Sequence, residues 1–229
     1  MNPKSIINLF SILVLLFSFS FIFPIVISII FDDGALPIFL KTLISISLLG
    51  LIGLFFTRNI KNDLSQKDGF VIIVMFWIVL SLTGSVPFYL SGMSLIDSVF
   101  ESMSGITTTG ATVISSLDGL PESLLFYRQL LQWMGGMGLI VLAIAVMPLL
   151  GIGGGQIYKT EVPGAMGEQR LTPRIKETAQ ALWLIYFGLT AMCGVLYYLS
   201  GMNAFDAISH AMSTVCLLYT SDAADELRS

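Results

Sequence analysis

Long apolar runs separated by short polar connectors dominate the chain. Five runs are long enough to cross a bilayer as helices: Ile6–Phe31, Ala35–Phe56, Gly69–Leu90, Leu125–Leu150 and Thr178–Leu199. A hydrocarbon core of about 30 Å needs about 20 apolar residues in a helix. The first run is too long for the apolar part of a signal peptide and no small-residue cleavage site follows it, so we interpret it as a retained span. The pattern predicts an all-α integral membrane protein.

Lysine and arginine are concentrated in alternate connectors between these runs. The opposite connectors, residues 31–34 and 91–124, contain neither residue type. Eight of the eleven basic residues precede run one or lie between runs two and three or runs four and five: Lys4, Arg58, Lys61, Lys67, Lys159, Arg170, Arg174 and Lys176. The positive-inside rule therefore predicts a cytoplasmic N-terminus and places residues 91–124 on the outer side.

The composition agrees with a membrane protein and narrows the chemistry. Hydrophobic residues make up 55% of the chain, charged residues only 11%, and the mean hydropathy is +0.87. Soluble domains carry about 25% charged residues. Two cysteines and one histidine give no disulfide framework and too few ligands for a zinc or haem site. We expect no bound cofactor, no nucleic-acid partner and no enzymatic activity.

One segment of the chain is repeated. The sequence FYLSGMSLIDSVFESMS (88–104) recurs 109 residues later as YYLSGMNAFDAISHAMS (197–213), with eight of 17 positions identical. Each copy follows an apolar run that leaves the cytoplasm, so the two copies share one orientation. Parallel repeats of this kind are typical of proteins that enclose a central pathway.

Each copy of the repeat carries the signals of a short helix. Ser94 and Asn203 are favourable N-cap residues, and Asp97 and Asp206 follow three residues later, at the capping-box position. A helix of about ten residues is too short to cross a bilayer. We therefore predict that each copy forms a helix that re-enters the membrane from the outer side. A helix lying flat on the outer leaflet is the alternative.

A polar segment, Thr107-Thr108-Thr109-Gly110, follows the first short helix. The inner end of that helix is the negative end of its dipole and favours a cation. An extended run after it can direct successive carbonyl oxygens toward one axis, as in potassium-channel filters, and Gly110 can adopt backbone conformations closed to other residues. Oxygen ligands suit a hard alkali cation. Taken alone, the segment is also compatible with an ordinary Thr/Gly loop.

Several motifs occur in an order that resembles the membrane subunit of the Trk/Ktr/HKT potassium-transporter superfamily, in particular its TrkH-type members. They are DSVFESMSGITTTGATVI, RQLLQWMGGMGLIVLAIAVMPLLGIGG, TEVPGAMGEQRLTPRIKETAQALW and FDAISHAMSTV. The resemblance implies a pore of four span–pore loop–span units with one filter glycine each, preceded by two extra spans. It also implies K+ uptake in the bacterial inner membrane, a homodimer, and a cytosolic nucleotide-binding regulatory subunit similar to TrkA.

The resemblance divides the chain into five parts: a two-helix extension (1–62), a first span–pore loop–span unit (63–155), a cytosolic connector (156–177), a truncated second unit (178–215) and a tail (216–229). It assigns K+ coordination, mainly by backbone carbonyls, to Thr107, Thr108, Thr109, Gly110, Thr214 and Val215.

The second unit departs from the family pattern after Val215. The repeat places Tyr219 where the first unit has Gly110. The closing sequence CLLYTSDAADELRS has no apolar periodicity and resembles a translated sequencing adaptor, so we interpret residues 216–229 as a non-native tail. On this interpretation about one and a half of four units are present, and we expect this chain alone not to conduct ions.

Several alternatives stay open at the level of sequence. A Na+- or H+-coupled potassium symporter is the nearest alternative function; a non-transporting scaffold and an intramembrane serine hydrolase using Ser104 and His210 are more distant ones. Arg128 has three candidate roles: pairing with Glu101, pairing with Glu122, or anchoring at the membrane interface.

Two glycine-rich motifs have structural interpretations. QWMGGMG (132–138) favours close helix packing, with a gating hinge as the alternative. GIGGGQ (151–156) lacks the last glycine of a phosphate-binding loop and is interpreted as a flexible connector. The family resemblance suggests that the charged loop after it, residues 156–176, docks the regulatory subunit.

Overall fold

The computed structural model of the protein describes residues 3–57, 66–117, 119–146 and 171–216, and within these ranges all regular structure is helical. The α-helices there are α1 (Pro3–Ser18), α2 (Ile22–Phe31), α3 (Leu36–Thr57), α4 (Gln66–Gly84), α5 (Val86–Leu90), α6 (Leu95–Ile106), α7 (Glu122–Val146), α8 (Leu171–Leu199) and α9 (Ala204–Val215). The predicted all-α fold is confirmed. Most of the predicted cytosolic connector and of the predicted tail lies outside the described residues.

Four of the five predicted spans coincide with long helical stretches. Three helical stretches of the described chain are long and apolar enough to cross a membrane: Lys4–Phe31, Leu36–Thr57 and Glu177–Leu199. A short 3-10 turn, Phe19–Phe21, joins α1 to α2 within the first of them. Helix α7, with 25 residues, covers most of the fourth predicted run.

The third predicted run is not one continuous helix. Helix α4 ends at Gly84, and α5 begins at Val86. Pro87 has no backbone N–H and cannot donate the hydrogen bond that would continue α4 into α5. At this break the Gly84 carbonyl oxygen accepts a hydrogen bond of 2.8 Å from the Tyr127 hydroxyl. This hydrogen bond therefore ties the end of α4 to α7.

The sequence repeat is also a repeat of backbone geometry. Gly92 and Gly201 follow the spans in the left-handed region, with φ of 103° and 100°. The next residue in each copy donates its N–H across the turn, Met93 to Phe88 and Met202 to Tyr197, at 3.2 Å in both cases. These are the bonds of a Schellman motif, which ends a helix and redirects the chain.

Tyr127 lies at the centre of the main core, where the N-terminal helices meet the first unit. It is fully buried, and its ring contacts Phe21, Phe39 and Phe88 at centroid distances of 5.7, 5.6 and 5.4 Å. These rings come from the α1–α2 junction, from α3 and from α5. Aromatic burial therefore holds the N-terminal pair against the first unit.

A second core joins the two units. On α7, the Trp133 indole N–H donates to the Thr190 hydroxyl at 3.0 Å, and the Trp133 carbonyl accepts from the Tyr186 hydroxyl at 2.9 Å. Both partners lie on α8. The rings of Trp133 and Tyr186 also pack at 5.4 Å. Helix α7 is thus the common wall of both units.

Candidate ion-binding site

The two short helices, α6 and α9, form as the repeat predicts. Each has 12 residues and a capped N-terminus. The Ser94 hydroxyl accepts from the Asp97 N–H at 3.1 Å, and the Asn203 amide oxygen accepts from the Asp206 N–H at 2.8 Å. In both caps the aspartate carboxylate also accepts a 2.7 Å hydrogen bond from the cap side chain. The acidic first turn complements the positive end of each helix dipole.

Helix α6 ends in a strained turn at the first predicted site residues. The Thr107 N–H donates to Met103, the Thr108 N–H to Gly105 and the Thr109 N–H to Ser104, at 2.9, 3.0 and 2.9 Å. Thr108 has φ of 54°, in the left-handed region. A glycine usually occupies this position of a helix-ending motif, and a β-branched residue there is an outlier.

The extended part of the loop therefore begins later than the sequence predicts. Thr107 and Thr108 form the turn that ends α6, the Thr109 N–H closes this turn by donating to the Ser104 carbonyl, and the extended part follows. Gly110 has φ of 83°, a conformation of the kind that the sequence predicts for this glycine. The Ser104 hydroxyl donates to the Ala111 carbonyl at 2.5 Å and holds the extended part against the helix.

The carbonyl oxygens of residues 107–110 have no hydrogen-bond donor among the described residues, whereas three of the four N–H groups are used by the helix end. The Thr107 and Thr109 hydroxyls bond to each other at 2.8 Å. Within the part of the chain that the structure describes, no three His, Cys, Asp or Glu side chains come together. The oxygen atoms offered here are therefore backbone carbonyls and threonine hydroxyls.

A buried ion pair lies behind this loop. Arg128, on α7, donates to Glu101, on α6, through Nε at 3.3 Å and Nη2 at 3.2 Å. The Arg128 side chain is 10% exposed and the Glu101 side chain is 2% exposed. This resolves the alternatives for Arg128 in favour of Glu101. The other carboxylate oxygen of Glu101 accepts from the Val113 N–H at 2.7 Å and from the Thr112 hydroxyl. The sequence offered Glu101 only as one of two partners and gave no sign of its bonds to residues 112 and 113.

Two adjacent glycines of α7 contact the C-terminal ends of the two short helices. A Cβ added to Gly135 would lie 1.9 Å from the Ile106 carbonyl oxygen. A Cβ added to Gly136 would lie 2.9 Å from the Cys216 Cβ. Such distances exclude a side chain, so the close-packing interpretation of QWMGGMG is the one that the geometry supports. The ends of α6 and α9 are thereby brought to one level of α7.

The remaining predicted site residues, Thr214 and Val215, lie in the last turn of α9. The Thr214 hydroxyl bonds to the Tyr197 hydroxyl at 2.9 Å and to the His210 carbonyl at 2.7 Å. By the repeat they correspond to Gly105 and Ile106, not to the Thr107–Gly110 segment. The positions equivalent to that segment begin at Cys216, and those after it lie outside the described residues. The structure thus brings the four residues of the first unit together in one loop, while Thr214 and Val215 are part of a helix.

Ser104 and His210 occupy equivalent regions of the two repeats. The Ser104 hydroxyl donates to Ala111, and the His210 ring packs against Tyr197 at 6.2 Å. The serine thus has a structural hydrogen bond in the loop, which gives no support to the hydrolase alternative.

Comparison with known proteins identifies the family. The TrkH family, described as cation transport protein, matches residues 35–221. The Trk system potassium uptake proteins TrkH of Vibrio parahaemolyticus and Escherichia coli K12 are 48% and 44% identical over 220 residues, covering 95% of this chain and 45% and 46% of theirs. The crystal structure of the potassium transporter TrkH from Vibrio parahaemolyticus matches with a TM-score of 0.81 at 46% identity, over 93% of this chain and 43% of that one. The chain thus spans somewhat less than half the length of these relatives, and it belongs to the TrkH family of cation transport proteins.

Proposed function

We propose that this chain forms part of a K+ uptake protein, in which the Thr107–Gly110 loop supplies one wall of an ion filter. The names of the relatives, potassium uptake proteins, support K+ as the transported ion. The geometry of the loop supports its assignment as the ion-binding segment. The observation that carries the proposal is a strained helix end at Thr108 followed by carbonyl oxygens that no described donor satisfies. Strained backbone of this kind concentrates at functional sites.

The proposed chemistry is replacement of the hydration shell of K+. Carbonyl oxygens of residues 107–110 would take the place of water ligands, and the C-terminal end of α6 would add its negative dipole. The hydroxyls of Thr107 and Thr109 are bonded to each other and stabilise the loop. No covalent step is involved, so the proposal requires no catalytic residue.

A complete ring needs further units beyond the one described here. We retain the division into a two-helix extension (1–62), a first unit (63–155), a connector (156–177) and a second unit (178–215), with 216–229 as a non-native tail. Coordination of K+ near Thr214 and Val215 stays a prediction of the family resemblance. The chain alone, with one described filter loop, is not expected to conduct.

Channel-like conduction is the mode that the loop favours over symport. A Na+- or H+-coupled mechanism, in which a second ion moves together with K+, is the alternative. Flux of K+ that is independent of Na+ and pH gradients would agree with conduction, and strict dependence on either gradient would establish the symport alternative.

The proposed setting is the bacterial inner membrane, crossed several times with the N-terminus in the cytoplasm. The alternating lysine and arginine residues support this orientation. The family resemblance adds two partners to the proposal: a second copy of the protein in a homodimer, and a cytosolic nucleotide-binding regulatory subunit docked on the charged loop 156–176.

A chimera tests the proposed function. Residues 1–215 are joined, at the aligned position, to the remainder of the Vibrio parahaemolyticus relative and expressed in a strain that lacks K+ uptake. We expect growth at low K+, because the missing units are then present. Normal membrane insertion without growth would contradict the proposal.

Substitution of Gly110 tests the filter assignment. Gly110→Ser should lower the K+/Na+ permeability ratio by about tenfold, because its φ of 83° is unfavourable for a residue with a Cβ. Gly119→Ser is the matched control, since Gly119 also has a positive φ, 87°, but lies outside the loop in open space. Equal ratios in both variants would remove Gly110 from the filter.

A further inference from the structure

The buried ion pair between Glu101 and Arg128 contacts the outgoing limb of the loop, which we define as residues 111–114. One carboxylate oxygen of Glu101 accepts the two Arg128 hydrogen bonds, and the other accepts from the Val113 N–H and the Thr112 hydroxyl. Arg128 Nη2 also donates to the Thr112 hydroxyl at 3.2 Å. The two charges and the limb thus form one connected network.

Folding stability alone does not explain why a buried ion pair is present. Removing two charges from water is costly, and apolar residues in their place are often as good for folding. Here every oxygen of the carboxylate has partners, and half of those partners belong to the limb. The network therefore fixes the backbone directly after Gly110, while the Ser104 hydroxyl bonds to Ala111 next to it.

The internal repeat shows that the short helix itself does not require this carboxylate. Helix α9 has the same length and the same type of cap as α6, and it likewise ends against a glycine of α7. At the position equivalent to Glu101 it carries His210. Since α9 forms without a carboxylate there, the role of Glu101 concerns the loop after α6 rather than the helix.

We propose that Glu101 and Arg128 are positioning residues that hold the outgoing limb, and through it the Gly110 carbonyl, at the geometry that distinguishes K+ from Na+. The proposal rests on the proposed function of the loop. The physical basis is that Na+ is smaller and needs shorter oxygen distances, so a limb that can move inward loses discrimination. Neither residue has to contact the ion.

Variants of the chimera test this role by reversal potentials in K+ and Na+ gradients. Glu101→Gln keeps an acceptor for the Val113 N–H but leaves Arg128 without its partner charge. Arg128→Gln leaves the Glu101 carboxylate without its partner charge. The double variant Glu101→Gln/Arg128→Gln leaves no unpaired charge, so it should insert better than either single variant. Glu122→Gln, which removes a carboxylate at the start of α7, is the matched control.

We expect the K+/Na+ permeability ratio to fall about tenfold in Glu101→Gln and to stay low in the double variant, because charge-assisted bonds to the limb are lost in both. Glu122→Gln should retain the full ratio. A double variant with the original ratio would overturn the proposal, since it would show that each charge serves only to neutralise the other.

Thr112→Val decides the outcome if the charge variants fail to insert. Thr112 is uncharged, and Glu101 and Arg128 still pair with each other when its hydroxyl is removed. A lowered ratio in this variant supports the proposal, and an unchanged ratio contradicts it. Failure of the unsubstituted chimera to conduct K+ would instead contradict the proposed function itself, which keeps the two failures distinct.

Discussion

Thr108 holds the most unfavourable backbone conformation in the candidate loop. Its φ of 54° is left-handed, whereas its neighbour Thr107 has an ordinary φ of −85°. For an L-residue the left-handed region costs about 1–2 kcal/mol. The bonds from the Thr108 and Thr109 N–H groups to α6 offset this cost. A threonine also restricts the loop more than a glycine would, because its χ1 is stiff.

Glycine substitutions at these two neighbours should change stability in opposite directions. Thr108→Gly should stabilise the chimera by about 0.5–1 kcal/mol, since the relief of strain exceeds the entropy that a glycine adds to the unfolded chain. Thr107→Gly should destabilise it by about 1 kcal/mol, because only the entropy cost applies. Melting temperatures from fluorescence-detected gel filtration measure both. A lower melting temperature for Thr108→Gly would show that Thr108 is not strained.

At the scale of elements, α7 organises both short helices. Its adjacent glycines, Gly135 and Gly136, contact the ends of α6 and α9. A Cβ added to a third glycine, Gly138, would lie an ordinary 3.7 Å from the Phe76 ring. The motif thus combines two positions that exclude a side chain with one that tolerates it. The close approach at Gly135 and Gly136 fixes the position along α7 at which α6 and α9 end.

Alanine substitutions separate these positions. Gly135→Ala places a methyl group against the Ile106 backbone and should cost about 3 kcal/mol or more, through displacement of α6. Gly138→Ala should be neutral, or stabilising by up to about 1 kcal/mol through helix propensity. Thermal stability of the purified chimera measures both. A tolerated Gly135→Ala with unchanged ion discrimination would contradict the seating of α6 on α7.

Helices and caps that depend on neighbouring residues could be predicted from the sequence. Contacts between residues far apart in the chain could not. The caps at Ser94 and Asn203 depend on residues close in the chain, so they could be identified directly. The break at Ser85 was missed, although Pro87 signals it, because the apolar run continues across it. The bond from Val113 to Glu101 joins residues in a segment without periodicity, where nothing in the sequence specifies register.

At the scale of the whole molecule, Asp33 connects the N-terminal helices to the first unit. It lies in the connector between α2 and α3 and accepts from the Ser123 N–H, in the first turn of α7, at 2.8 Å. It also accepts from the Ala35 N–H at 3.0 Å and from the Ser28 hydroxyl. Burial raises the pKa of the Asp33 carboxyl, but the hydrogen bonds from Ser123, Ser28 and Ala35 outweigh burial and hold the pKa below its ordinary value. The carboxylate therefore caps a helix 90 residues away in the chain.

Neutralising this carboxylate should loosen the N-terminal pair from the first unit. Asp33→Asn is expected to destabilise the chimera by about 1 kcal/mol at pH 7, because a charged acceptor at the start of α7 is lost. Because the pKa of Asp33 is lowered in the folded state, the carboxylate contributes its full stabilisation above the ordinary aspartate pKa of about 3.9. This stabilisation is lost as the pH falls through the pKa of the folded state. Asp32→Asn, next to it and exposed, is the matched control and should have little effect. Melting temperatures between pH 7 and pH 3 should therefore converge for the original protein and Asp33→Asn on acidification, and a constant difference would exclude the charge as the cause.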